Sequence, residues 1–374
     1  MKPETLAVHA ARAPDAGTGA VAAPLHLSTT FERAADGSYP QGYYYGRAAN
    51  PTRDALEQSL AALEGGAEGL CFASGSAASM AAFSLLAPGD HVIAPSECYH
   101  GTIKQLRQFV ETTGVRVSLI DTWDLDAVAA AWTGATRMVW IETPSNPRLF
   151  VTDIEATAAL ARGRGALLAC DSTFATPVLQ QPLVLGADIV MHSTTKFLAG
   201  HSDVTGGALV TRERGAVLER LRNYQLQAGA VPSPFDCWLT RRSMMTLPLR
   251  VRAQAAGAAA IAAFLDSHPR VERVFYPGLP SHPGHALAAR QMAAFGSMIS
   301  VTVRGGADDA LAVAARVRVF TRATSLGGVE SLVCHPPSMT HASVPPDVRR
   351  RVGIADGLSL DPDAANAPTK APVR

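Results

Sequence analysis

An aspartate and a lysine, each at the end of a short apolar run, are the residues of this chain best suited to chemistry. Residues 166–170 are apolar and end on Asp171, and a second run at 188–191 ends in His192-Ser193-Thr194-Thr195-Lys196. Two such runs read as parallel strands that deliver functional groups at their carboxyl edge. A lysine amine there can hold an aldehyde as a Schiff base. An aspartate can keep a pyridine nitrogen protonated, so that the ring accepts electrons; together the two suit pyridoxal phosphate. The hydroxyls of Ser193 and Thr195 stand beside Lys196, where they can grip a phosphate. Either residue alone has an ordinary explanation, a structural Asp or a solvated Lys. The pair is more specific, because Lys196 lies in an uncharged, Gly-flanked stretch where a merely solvated lysine has little reason to be.

The elements that must position these groups alternate between strand and helix from Gly69 to Leu209, which predicts a mostly parallel α/β sheet with right-handed crossovers. Strands are expected at 91–94, 115–120 and 138–141, and helices at 53–63 (Thr52 as cap), 125–132 and 154–162. The small residues 73–78 open an Ala-rich helix whose free N–H groups and dipole favour an anion, although most such turns are only tight turns. No GxGxxG or Walker-type loop competes for a ligand. Residues 1–42 read as an extended arm. After Asn223 the texture changes, and a Gly/Pro-containing break at 229–234 precedes a long helix over 235–265 kinked at Pro248. Residues 298–303 and 319–323 read as strands of an antiparallel sheet. The expected organisation is an arm (1–45), a cofactor domain (46–234), a smaller α+β domain (235–356) and a Pro/Ala/Asp-containing disordered tail (357–374).

At 374 residues, 47% hydrophobic and 17% charged, the chain can bury two cores and is not generally disordered. A formal net charge of +1 without long charged runs points away from nucleic acid, and no apolar stretch is long enough to span a bilayer. The five cysteines are scattered and lack metal spacing, as expected of reduced thiols in a cytoplasmic enzyme. The histidine pair His282 and His285 has no third ligand near it in sequence, which argues against a metal site.

Residues 169–207 resemble the signature of the Cys/Met-metabolism family of pyridoxal-phosphate enzymes, and similar motifs recur from about Tyr43 to Gly353. The resemblance implies an aspartate-aminotransferase-type fold. It implies that Tyr45 and Arg47, in YYYGRAANPTR, reach into a neighbouring subunit's active site to hold the cofactor phosphate, so that the enzyme is at least a dimer and, following the family, a tetramer. It implies backbone donation to the phosphate from Gly75 and Ser76, ring stacking and proton relay by Tyr99, and Thr173 flanking the ring. Asn146, in ETPSNP, would sit by the cofactor oxygen and the substrate carboxylate. Ser325 and Arg349 would hold that carboxylate, Arg349 as a bidentate fork. The choice of Arg349 among Arg349, Arg350 and Arg351 rests on the match to the family's Val-Arg-x-Ser-Val-Gly-Ile. The chain departs from the family pattern at Ser76, where Met is common, and at His100, where Gly is usual. It departs again at Thr324, where cystathionine enzymes often carry a Glu proposed to bind the distal amino group.

The expected activity is γ-replacement or γ-elimination on a homoserine- or cystathionine-type amino acid, with Lys196 as base, Asp171 on the ring nitrogen and Tyr99 assisting the leaving group. A β-acting cystathionine lyase or a methionine γ-lyase-like enzyme is the nearest alternative. An aminotransferase and a non-catalytic binding member are the remoter ones.

Overall fold

The computed structural model describes residues 1–342, 344, 349, 353–354 and 356–361. The expected arm is not wholly extended. Helix α1 (Pro3–His9) places Pro3 in its first turn, where a missing N–H costs nothing, and buries Ala7. Irregular, mostly exposed chain follows as far as α2 (Pro51–Glu64), against which α1 packs. The cap of α2 is Asn50 rather than Thr52. Its Oδ1 accepts from the amides of Thr52 (2.9 Å) and Arg53 (3.2 Å), while its Nδ2 donates to His26 O (2.9 Å), which ties arm to helix. Pro51 then occupies the first helical position, leaving no amide there that needs a partner.

The chain next alternates: β1 (Glu68–Phe72), α3 (Gly75–Phe83), β2 (His91–Pro95), α4 (His100–Gln105), β3 (Arg116–Ile120), α5 (Leu125–Ala130), β4 (Thr136–Glu142) and α6 (Ile154–Gly163). It continues through β5 (Leu167–Asp171), α7 (Thr176–Leu179), β6 (Ile189–His192), β7 (Gly207–Thr211) and α8 (Ala216–Ala228). The seven strands form one sheet in the order β1-β7-β6-β5-β4-β2-β3. Strand β7 runs antiparallel to both β1 and β6, and the pairings from β6 to β3 are parallel, as the sequence led us to expect. Alternate residues serve opposite layers. Met138 and Trp140 face the core that includes α3 and α8, whereas Val139 and Ile141 face the core under α6.

Helix α9 (Pro234–Met244) and helix α10 (Leu247–Asp266) replace the single kinked helix expected over 235–265. Pro248 does not bend a continuous helix; it lies in the first turn of a new one, the position that tolerates proline best. Helix α9 packs on α2 and anchors the arm through the Trp238 indole on Ala23 O (3.0 Å) and the Arg241 guanidinium on Ala11 O. The change of core therefore falls within α10 rather than at 234/235. Leu247 and Val251 belong to the large core, Ala258 and Ala262 to the small one.

The smaller unit adds β8 (Val271–Phe275), α11 (His285–Gln291), β9 (Ile299–Val303) and α12 (Gly306–Arg316). Beyond them lie β10 (Thr321–Arg322), β11 (Leu332–Val333) and β12 (Leu358–Asp361). Its antiparallel sheet has the order β12-β9-β8. Residues 319–323, expected in that sheet, instead contribute Thr321 and Arg322 to a separate parallel ladder with β11. Residues 358–361, expected in the tail, pair antiparallel with β9, and Leu358 is fully buried. The remainder of the expected tail, 362–374, lies outside the described residues. His282 and His285 have structural partners: His282 Nδ1 accepts from the Gly284 amide (3.0 Å) and His285 Nδ1 bonds Pro277 O (2.9 Å). All five cysteines are buried and none is in a disulfide.

Candidate active site

The carboxyl ends of β4, β5 and β6 and the start of α3 enclose a cavity of about 240 Å³. Nine of the residues expected at the site form its wall. Asp171, Thr173, Ser193, Thr195 and Lys196 come from the ends of β5 and β6, Gly75 and Ser76 from the first turn of α3, and Tyr99 and Asn146 from the loops after β2 and β4. A parallel sheet makes this convergence unavoidable, because every parallel strand ends at the same edge.

At the buried end of the cavity the Asp171 carboxylate accepts from the Thr173 hydroxyl (2.6 Å) and the Thr173 amide (3.0 Å). The Thr173 oxygen accepts in turn from the Ser193 amide (2.9 Å), so the ends of β5 and β6 are stitched together through the aspartate's partner. Burial pushes the Asp171 carboxyl above its ordinary range, while the Thr173 donors and the nearby His192 oppose that rise. Lys196 Nζ donates to Ser325 Oγ (2.8 Å), and burial lowers its amine. Ser325 reaches the amine from a backbone in the left-handed region (φ 93°), rare for a residue with a Cβ.

At the other end, Ser74 caps α3 by accepting from the Ala77 amide (3.1 Å). A Cβ added to Gly75 would stand 2.9 Å from Ser193 Cβ, so the missing side chain is what lets the helix start approach the lysine strand. Gln105 fixes this turn from α4, donating to Ser76 O (2.7 Å) while its Oε1 accepts from the Ser79 hydroxyl (2.6 Å). Thr195 Oγ1 both donates to Gly206 O (3.2 Å) and accepts from the Gly206 amide (2.9 Å).

Pyridoxal phosphate fits these donors and acceptors. The glycine-lined helix start and the Ser193 and Thr195 hydroxyls suit a phosphate at one end, and a buried carboxylate waits at the other. Between them, Asn146 Oδ1 is a buried polar atom with no protein partner, in a residue that lines the cavity.

Four expected residues lie outside the cavity wall, besides Ser325 behind Lys196. Thr324 is exposed. Arg349 donates to Val344 O (2.8 Å) and lies 3.4 Å from Asp356 Oδ1. Arg350, Arg351 and Val352 of the same motif lie outside the described residues. The Arg47 guanidinium sits over the Tyr45 ring at 5.8 Å and donates to Leu226 O, and Tyr45 is about half exposed. The turn that carries them is held from below by the buried Arg53, which donates to the carbonyls of Gly46, Arg47 and Ala48.

Sequence reasoning missed Glu142. It is the last residue of β4, lies opposite Asp171 in the register, and lines the same cavity. The available signal was positional: a carboxylate closing an apolar strand, as Asp171 does. Burial and the Asp171 charge push the Glu142 carboxyl well above its ordinary range.

Residues 4–359 match the Cys/Met metabolism PLP-dependent enzyme family. The chain is 50% identical to the cystathionine gamma-synthase of Mycobacterium tuberculosis over 98% of its own length and 96% of that protein's. It is 43% identical to the cystathionine beta-lyase of Coxiella burnetii over 95% and 92% of the two chains. The solved cystathionine gamma synthase of Xanthomonas oryzae pv. oryzae, in complex with aminoacrylate and cysteine, superposes with a TM-score of 0.95 at 41% identity, covering 98% of this chain and 95% of that one. Lysine, aspartate and helix start thus converge at one sheet edge in a chain that belongs to the Cys/Met metabolism family of PLP-dependent enzymes and uses pyridoxal phosphate to act on a small amino acid.

Proposed function

We propose that the chain catalyses γ-replacement on an activated homoserine, joining a thiol such as cysteine in place of the γ-substituent. The observation that carries this reading is full-length identity of 50% to a protein named cystathionine gamma-synthase, together with a cavity wall that holds the expected base and ring partner. γ-Elimination from the same class of substrate is the other half of the reading.

The bound cofactor would supply an electron sink for the carbanion formed at the substrate Cα. The protein supplies the rest. Asp171, whose charged form two Thr173 donors favour against its burial, would face the ring nitrogen. Gly75 and Ser76 amides with the Ser193 and Thr195 hydroxyls would hold the phosphate, joined by Tyr45 and Arg47 from a second subunit. The Lys196 amine, neutral more often than a solvated lysine because it is buried, would take the Cα proton, hand it on and so return to the free amine, and then take a Cβ proton. Ser325 would keep that amine aimed between turns. Tyr99, half exposed at the cavity wall, would stack on the ring and protonate the departing group, while Asn146 and Arg349 would meet the substrate carboxylate. We place this reaction in the cytoplasm, in a dimer or tetramer; no described helix is long and apolar enough to cross a membrane.

A second reading, β-elimination from cystathionine, is favoured by the relative named cystathionine beta-lyase. One experiment separates them. Holoenzyme is given an O-acylhomoserine with and without cysteine, and cystathionine alone, and products are identified by mass. Cystathionine from the first mixture is the expected result. 2-Oxobutanoate plus cysteine from cystathionine alone makes the enzyme a γ-lyase, and pyruvate plus homocysteine makes it a β-lyase. No turnover with any of the three overturns both readings.

A further inference from the structure

One carboxylate spans the cavity wall. Glu142 Oε2 accepts from the Tyr99 amide (2.8 Å) and Glu142 Oε1 accepts from the Asn146 amide (2.8 Å). The two amides belong to different loops, after β2 and after β4, and neither loop amide at these positions is part of a strand ladder or a helix turn. Glu142 is itself 6% exposed, and its strand pairs with β5 so that Glu142 and Asp171 are register partners. The carboxylate is therefore fixed relative to the aspartate and transmits that position to both loops.

The same two loops are latched a second time, in the opposite sense. Glu97, from the Tyr99 loop, accepts from the Arg148 amide (2.9 Å) and Arg148 Nε (2.6 Å) of the Asn146 loop. Its Oε1 also lies 3.4 Å from Ser145 Oγ. Neither Glu97 nor Arg148 lines the cavity, and their latch joins loop to loop, whereas Glu142 joins both loops to the strand that stands beside Asp171.

We infer that Glu142 is a positioning residue: by accepting one amide on each oxygen it sets the Tyr99 ring and the Asn146 side chain at a fixed distance from Asp171 and so shapes the cofactor pocket. This rests on the cofactor reading of the site but not on which amino acid is turned over. Only a carboxylate can do it at this size. A glutamine keeps one acceptor oxygen and turns the other into an NH₂ donor that faces an N–H. An aspartate is one methylene too short to reach both amides from the same backbone.

The test uses Glu142→Gln and Glu142→Asp in the full-length chain. In cofactor-free protein, site-resolved amide hydrogen exchange at Tyr99 or Asn146 is expected to quicken by about tenfold or more on losing a buried hydrogen bond. The amides of Leu168 and Cys170 in β5 should keep their rates. The dissociation constant for pyridoxal phosphate should rise about tenfold, the same loss read as binding, and the visible absorption band of the reloaded variant should shift. Glu142→Asp should not retain what Glu142→Gln loses. Quickened exchange spread evenly over β4, β5 and β6 with a matching fall in Tm would reduce Glu142 to a stability residue and overturn the inference. So would unchanged cofactor affinity and an unshifted band. Should neither variant fold, the unsubstituted cofactor-free protein decides: its Tyr99 and Asn146 amides must exchange as slowly as those inside β4, and fast exchange there refutes the latch. None of these readouts depends on the products of turnover, so failure of the reaction assignment leaves them intact.

Discussion

Lys196 and Asp171 are held where their charged forms are disfavoured, and this is a cost the cofactor-free protein carries. For Lys196 the sign is definite. The folded amine has a lowered pKa, so the unfolded chain binds a proton more readily, and stability rises with pH between the folded value and the ordinary lysine value of about 10.4. Lys196→Met should therefore raise the Tm of the cofactor-free protein near pH 7, with a gain that shrinks as pH approaches that value. Thermal unfolding at several pH values checks it; a Tm lowered at all of them would show that the bond to Ser325 outweighs burial. The same variant should lose covalent attachment of pyridoxal phosphate, seen by mass after borohydride reduction. These two residues were legible in the sequence because a lone charge in an apolar, glycine-flanked stretch has few structural uses. Glu142 was not, since at the head of a Pro-rich loop its carboxylate looks like turn chemistry, and its two amide partners are 43 and 4 residues away in sequence.

Elements obeyed the sequence where periodicity and burial agreed, and departed from it at their ends. Strands β5 and β6 follow directly from apolar runs that end in charge or hydroxyl. The start of α2 does not, because Asn50 and Thr52 are both good caps and the choice depends on Pro51 and on a distant carbonyl, His26 O. Asn50→Ala should cost about 0.5–2 kcal/mol, the usual range for a lost cap, measured by urea unfolding with an unchanged m-value. An effect below a few tenths of that range would mean the arm, not the cap, sets the helix start. Strand β12 was invisible for a different reason. Its Leu-Ser-Leu-Asp stretch is only four residues long, sits amid tail-like composition, and gains meaning only from β9 beside it. The split of α9 from α10 is a similar case, as proline reads alike at a kink and at a first turn until the backbone is seen.

At the scale of the molecule, Tyr45 and Arg47, proposed above to hold the phosphate in a neighbouring subunit, do not line the cavity of their own chain. On the reading that each subunit completes its neighbour, Arg47→Ala and Lys196→Ala proteins should each be inactive alone. Mixed and reassociated in equal amounts they should regain about a quarter of the unsubstituted activity, because half of randomly paired dimers carry one intact site of two. No recovery, with exchange of subunits verified by mass, refutes sharing. Since β7 starts at the edge where β6 ends, the segment between them never crosses the sheet. Lys196 lies on a loop whose two ends are clamped by neighbouring strands. That loop closes only when β7 has slotted between β6 and β1, a strand more than a hundred residues earlier in the chain. Pairings of such long range form late and slowly. In refolding, then, helix signal should return first and the power to capture pyridoxal phosphate last, which makes the cofactor's absorption a clock for the completion of the sheet.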